Sequence, residues 1–205
     1  MNDDKHSPQP TTQPPATPAS QPSWKSLLKE IGVFILIAVC VVLPFRMFIA
    51  EPYIVDGPSM DPTFKTGDYL IVDKLSYELG NPQRNSVIIF KFPTNPSLSL
   101  IKRVIGLPGD TVTVVNGAVT ITNTNNPAGF PLNESYLTHP QADNFTVTLG
   151  PDEYFVMGDN RPVSYDSRSW GILPRKDIVG RPLLRLLPVT EIGALPGDHT
   201  ATSTQ

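Results

Sequence analysis

The chain has 205 residues, enough for one packed domain with appendages and too few for two large ones. Its formal net charge is -3 with no block of lysines and arginines, which excludes the electrostatic footprint of a nucleic-acid binder. The single cysteine, Cys40, permits no internal disulfide, and His6, His139 and His199 form no Cys/His cluster at metal-ligand spacing, so no metal or organic cofactor is expected.

Residues 1–23 hold six of the 23 prolines among Thr, Gln, Ser and Asn, with no leucine or aromatic residue. Such a stretch lacks the apolar area to offset chain ordering, and it is expected to be a disordered head. Residues 24–30, WKSLLKE, lead into an uncharged run over 31–45. Fifteen residues make about 22 Å of helix, short of the ~20 residues a bilayer core needs. Extension to Ala50, with Arg46 snorkelling and Trp24, Lys25 and Lys29 as a collar, gives a signal anchor over 24–50. A buried core helix is the alternative. The basic flank at Lys25 and Lys29 favours the head in the cytoplasm and the body outside, although Arg46 weakens the contrast. Ser26 and Lys29 have Ser-x-x-Lys spacing but none of the companion motifs of penicillin-binding enzymes, and read as an interfacial helix turn.

From residue 51 onward the pattern is β. Short runs over 53–55, 68–74, 86–92 and 100–105 are rich in β-branched residues, and TVTVVNGAVTI over 111–121 places Asn116-Gly117 between alternating residues, a strong hairpin signal. Residues 123–144, crowded with Asn, Thr and Pro, read as an insertion or loop at the edge of the core. Strand runs resume over 145–149, 153–157, 178–180 and 183–187. The expected fold is mainly β, a coiled antiparallel, barrel-like body over 51–189 with a smaller hairpin-containing subdomain at about 107–150, then a loose tail over 190–205.

The stretch 55–63, VDGPSMDPT, holds Ser59 on a Gly/Pro-punctuated bend. Most serines on turns only bond locally, so the bend by itself points nowhere. Nucleophilic serine needs a base, and the three histidines sit in the head, the polar insertion and the tail. Lys102, flanked by Leu100, Ile101, Val104 and Ile105, is the remaining candidate. In a strand Lys102 and Arg103 point to opposite faces, so only one of them needs to face solvent. An inward Lys102 would lose basicity by desolvation and be able to accept the Ser59 proton; an outward Lys102 would be an edge-strand charge. The residues alone leave both open.

The motifs resemble those of the bacterial type I signal peptidases, membrane-anchored Ser/Lys serine peptidases. Ser59-Met60-Asp61-Pro62-Thr63 matches the nucleophile box, 69–72 the next, 102–110 (KRVIGLPGD) the box around the general base, and Gly158-Asp159-Asn160-Arg161 with Ser164, Asp166, Ser167, Arg168, Trp170 and Gly171 the last. The resemblance implies Ser59 as nucleophile, Lys102 as general base, Ser164 as the serine that orients the lysine, and Asp166 with Arg168 as a bracing pair. It groups Gly57, Met60, Pro62, Gly158, Asp159 and Asn160 as box residues around a substrate pocket. Read without it, Asp166 and Arg168 make a surface ion pair of small value. Gly57 stands where some members carry an oxyanion-binding serine, Pro58 where a small residue is common, and Pro162-Val163 where Asp-Asn often follows, which leaves a second oxyanion donor unassigned.

The implied activity is removal of signal peptides from exported preproteins with small residues at the first and third positions before the cut, by a single-pass protein of the bacterial cytoplasmic membrane. The expected partners are those preproteins and the lipid bilayer, and no nucleic acid. Phe64, Leu98 and Leu100 are candidate lipid- or cleft-facing residues. Two alternatives remain at this stage: another Ser/Lys peptidase of related fold, and an inactive membrane-anchored β binding domain.

Overall fold

The computed structural model describes residues 24–42 and 50–198. The predicted head, residues 43–49 of the predicted anchor and residues 199–205 lie outside the described residues. In the N-terminal unit, helix α1 (Trp24–Ile37) continues as a π-helical stretch over Ala38–Val42. Its apolar side chains, Phe34 and Leu36 among them, are exposed. No helix among the described residues is long and apolar enough to cross a membrane.

The regular structure of the C-terminal unit is mainly strand: β1 (Ala50–Ile54), β2 (Tyr69–Asp73), β3 (Val87–Phe92), β4 (Asn95–Gly106), β5 (Thr111–Val115), β6 (Ala118–Thr122), β7 (Phe130–Pro131), β8 (Phe145–Thr148), β9 (Glu153–Met157), β10 (Leu173–Pro174), β11 (Ile178–Leu187) and β12 (Gly193–Ala194). Two short helices, α2 (Leu75–Leu79) and α3 (Ser167–Trp170), interrupt them. The larger sheet runs β1-β2-β11-β3-β4-β9-β10, with β12 also on β11, and the smaller runs β7-β6-β5-β8. Every strand pairing in both is antiparallel. The larger path has two ends that do not pair, so the body is an open sheet and not a closed barrel. Register shifts in β11, β3 and β4 supply bends where closure was anticipated.

Burial follows residue pattern. β5 and β6 alternate, burying Val112, Val114, Val119 and Ile121 on one face, and Asn116 and Gly117 take positive φ in the two-residue turn between them. Each such side chain contributes about 1.5–3 kcal/mol relative to exposure. β3 instead buries Val87, Ile88, Ile89 and Phe90 without alternation, because both of its faces are covered. Strand β4 joins these environments. Its first half is exposed, whereas Lys102 to Gly106 are buried without a break.

That burial corrects one expectation about β4. Neither cation at 102–103 faces solvent: Lys102 is 3% exposed and Arg103 0%. The segment expected to begin a loose tail is also structured up to Asp198. Gly193 and Ala194 pair with β11, Glu191 pairs with Arg185, and the Gly197 carbonyl accepts from Arg103 Nη1 at 2.7 Å.

Candidate active site

Ser59 sits in the connection 55–68 between β1 and β2. Its ends are closed by Val55 N–H to Asp68 O and Gly67 N–H to Val55 O, both 2.9 Å. Met60 and Phe64, both fully buried, pin the turn into a core cluster with Val55, Leu70 and Val87. The apolar side chains on one side of the bend thus hold the serine on the other, where it is half-buried. Phe64 therefore touches neither lipid nor cleft, while Leu98 is exposed and Leu100 is half-buried in the cleft wall.

β4 brings Lys102 to this bend across 43 residues of sequence. Its Nζ lies 2.8 Å from Ser59 Oγ and 2.9 Å from the Ile101 carbonyl oxygen. Burial lowers the amine's pKa, the charges of Asp166 and Asp159 raise it in part, and the net result is a fall from 10.5 to about 8. About a tenth of the amine is then neutral at pH 7, far more than for a solvated lysine. The pair opens onto a cavity of about 270 Å³ lined by Tyr53, Gly57, Leu70, Ile89, Ile101 and Tyr165, among others. Gly57 takes φ +90° there, and its N–H is engaged by Thr66 Oγ1 at 3.1 Å. No group among the described residues accepts from the Ser59 N–H.

The loop 158–168 closes the site from behind. A Cβ on Gly158 would lie 2.4 Å from the Ser59 carbonyl oxygen and 2.2 Å from Ser164 Oγ, so only glycine allows this approach. Asn160 donates its backbone N–H to Ser59 O at 3.0 Å and its amide to Pro58 O at 3.2 Å. Asp166, fully buried, accepts two guanidinium bonds of 2.8 Å from Arg168 and one of 2.9 Å from the Gly158 N–H. Burial pushes the Asp166 carboxyl up, but the Arg168 bonds and charge, the Gly158 N–H and the Ser164 hydroxyl together hold it below the usual range. A pair so enclosed is not a surface ion pair.

Ser164 does not make the expected bond to the lysine amine. Its Oγ is buried with no hydrogen-bond partner, beside Gly158 and near enough to Asp166 to favour the carboxylate without bonding geometry. Of the six residues grouped around a substrate pocket, only Gly57 lines the cavity. Met60 is core, Pro62 is exposed, Gly158 permits the close approach, Asn160 holds the Ser59 backbone, and Asp159 is paired with Arg103. The residues beside Ser59 in its short motif hold the loop more than they line the cleft, because one turn cannot point all its side chains into one cleft.

Sequence reasoning missed the Arg103 network. Arg103 Nε and Nη2 bond the two Asp159 oxygens at 2.8 and 2.6 Å, and Thr63 Oγ1 donates to Asp159 Oδ2 at 2.6 Å. The guanidinium also lies 3.9 Å from the Tyr136 ring centroid and bonds the Asn85 carbonyl at 2.6 Å. β4, the connection 55–68 and the loop 158–168 thus meet at one ion pair. Its only trace in the sequence is two charged residues inside motifs, since a pairing between positions 56 apart leaves no local pattern.

A lysine amine of reduced basicity against a serine hydroxyl, at an apolar cleft on a mainly β body, is the arrangement of a serine hydrolase that uses lysine where others use histidine. The family model described as signal peptidase, peptidase S26, matches residues 28–187. A signal peptidase I of Leptolyngbya laminosa is 42% identical over 204 residues, covering 95% of this chain and 97% of that one. The probable signal peptidase I-2 of a Synechocystis strain is 39% identical over 82% of this chain and 78% of its own, and the signal peptidase I P of Bacillus subtilis subsp. natto 40% over 76% and 87%. A crystal structure of a signal peptidase I from Enterococcus faecalis V583 matches at 32% identity over 50% of this chain and 97% of that one, with a TM-score of 0.43. The chain belongs to the signal peptidase family, peptidase S26.

Proposed function

We infer that the protein is a signal peptidase I-type serine endopeptidase in which Ser59 is the nucleophile and Lys102 the general base. The observation that carries the reading is the 2.8 Å contact between an amine of pKa about 8 and the Ser59 hydroxyl. Neutral Lys102 takes the Ser59 proton as Oγ bonds to the scissile carbonyl carbon, and the oxygen of that carbonyl becomes an oxyanion facing the Ser59 N–H. The lysine ammonium then protonates the departing amine as the peptide C–N bond breaks. Water gives a proton to the same amine as its oxygen bonds to the acyl carbon, and that proton passes from Lys102 to the departing Ser59 Oγ, releasing the carboxylic acid product and restoring both side chains. Asp166 and Arg168 brace the loop behind the serine.

The substrates are exported preproteins bearing signal peptides, with small residues at the first and third positions before the cut. The limited cavity beside Ser59 and the exposed strand-like segments that line it support selection of alternate side chains from an extended peptide. Residues 24–50 act as a single-pass anchor with the N-terminus in the cytoplasm and the catalytic body outside. The uncharged run and its basic flank support that topology.

Ser59→Ala and Lys102→Ala are each expected to abolish cleavage of a preprotein by the purified full chain while its circular dichroism spectrum stays native. Cleavage retained by either variant refutes the reading. Activity should rise with pH through an apparent pKa of about 8, the value to which burial lowers the Lys102 amine. A rise that waits until about pH 10 would assign the limb to an ordinary, solvated lysine.

A further inference from the structure

The connection 132–144, between β7 and β8, contains no strand of its own and lies outside the four motifs. It is nevertheless fastened to the loop behind Ser59. Glu134 forms an ion pair with Arg161, and Asp143 forms one of 2.8 Å with Arg168. Gln141 Oε1 accepts from Arg168 Nη1 at 3.3 Å, His139 forms an isolated parallel bridge with Asn160, and the Tyr136 ring packs under Arg103.

Both ion pairs converge on one residue, Gly158. Arg161, held by Glu134, donates from Nε to the Gly158 carbonyl at 3.0 Å. Arg168, held by Asp143, bonds Asp166, which accepts the Gly158 N–H at 2.9 Å. Arg168 Nη2 also donates to the Arg161 carbonyl at 2.7 Å, tying the two branches together. Gly158 is thus gripped at its N–H from one side and its C=O from the other. It abuts the Ser59 carbonyl with no room for a Cβ, and its neighbour Asn160 bonds the same oxygen. A shift of Gly158 passes directly to the nucleophile's backbone.

We propose that Glu134 and Asp143 are positioning residues of the cleavage reaction, acting through Arg161 and Arg168 to set Gly158 and so the placement of Ser59 against Lys102. The proposal rests on the reading of Ser59 and Lys102 as the reacting pair. It gives the connection from the smaller sheet a task in turnover: the strap holds the back of the nucleophile and never touches substrate. Its loss should appear in kcat, because misplacing a reacting atom by even ~1 Å costs on the order of a hundredfold in rate. KM should hardly move, because neither side chain lines the cleft.

The test uses the purified full chain with a preprotein substrate. Glu134→Gln and Asp143→Asn keep side-chain size and remove charge; each is expected to lower kcat about tenfold, and the double variant about a hundredfold, with KM within about twofold. Glu134→Asp and Asp143→Glu, which keep the charge, should recover most of kcat. Asp73→Asn serves as the structural control. Asp73 ends β2, accepts the Ser76 N–H at 3.1 Å and pairs with Arg181 at 3.4 Å, away from the cleft, so its variant should lower the melting midpoint and leave kcat unchanged. Wild-type kcat in both amide variants, or a kcat loss that Asp73→Asn reproduces at equal destabilisation, overturns the proposal. Ser59→Ala in the same assay separates the two layers: cleavage that survives it removes the reading of the reacting pair, and the strap proposal with it.

Discussion

Lys102 and Arg103 are neighbours on one strand, equally withdrawn from water, and the protein treats their charges in opposite ways. Arg103 is given four hydrogen bonds, two of them to the carboxylate of Asp159, and an aromatic face. Lys102 is given a hydroxyl and one carbonyl, with Asp166 and Asp159 acting on it only as more distant charges. Guanidinium is charged at any accessible pH, so burying it demands a full set of acceptors. An ammonium can shed its proton instead, and a pocket that withholds a carboxylate makes it do so at a lower pH. The comparison teaches that burial alone does not define a reactive group. The partner that is absent from contact matters as much as the ones present.

The contrast can be broken first on the Arg103 side. Asp159→Ala leaves a buried guanidinium without its carboxylate and frees Thr63, and should cost about 3–5 kcal/mol in urea unfolding. A loss below about 1 kcal/mol would show that the pair is open to water in solution.

On the Lys102 side the expected sign is reversed. Lowering its pKa from 10.5 to about 8 means that the unfolded chain binds more protons between those values. Folding is therefore penalised by about 3 kcal/mol below pH 8, and wild-type stability recovers as pH rises through that window. Lys102→Met removes the penalty but also two hydrogen bonds, so at pH 7 it should stabilise the inactive variant by about 1–3 kcal/mol. The gain over wild type should shrink toward zero near pH 10.5. A variant less stable than wild type at pH 7 would mean the amine is charged and satisfied in the fold.

The smallest effect sharpens the same point from the surface. Lys65 and Glu191, 3.4 Å apart with side chains 57% and 37% exposed, form a charge pair with neither burial nor enclosure. Lys65→Met should change stability by less than about 1 kcal/mol, with that change screened by salt. A larger change would indicate that the 189–191 turn depends on this contact.

What could be read along the chain was whatever short-range chemistry writes there. The Asn116-Gly117 turn is legible because positive φ at two successive residues needs those residue types, and β5 and β6 because one covered face leaves a period of two. The Ser59 turn is legible through Gly57, Pro58 and Pro62, and the family through four motifs, each contiguous or nearly so. The fate of Arg103 was not, because a covered second face is a property of the sheet stack and not of the strand. Nor was the ordered stretch 189–198, whose composition is that of a loop and whose order comes from Arg185 and Arg103 reaching it.

The amino-acid order by itself settled the class of fold, the family and the residue types able to do the chemistry, since each depends on neighbours within a few positions. Tertiary structure alone decided that the larger sheet stays open, that Met60 and Asp159 support the site without lining it, and that Ser164 turns toward Gly158. It also decided which of two adjacent cations would be left without a carboxylate in contact. Most of these outcomes depend on what arrives from 40 or more residues away, and the free energy of a buried charge is set by that arrival.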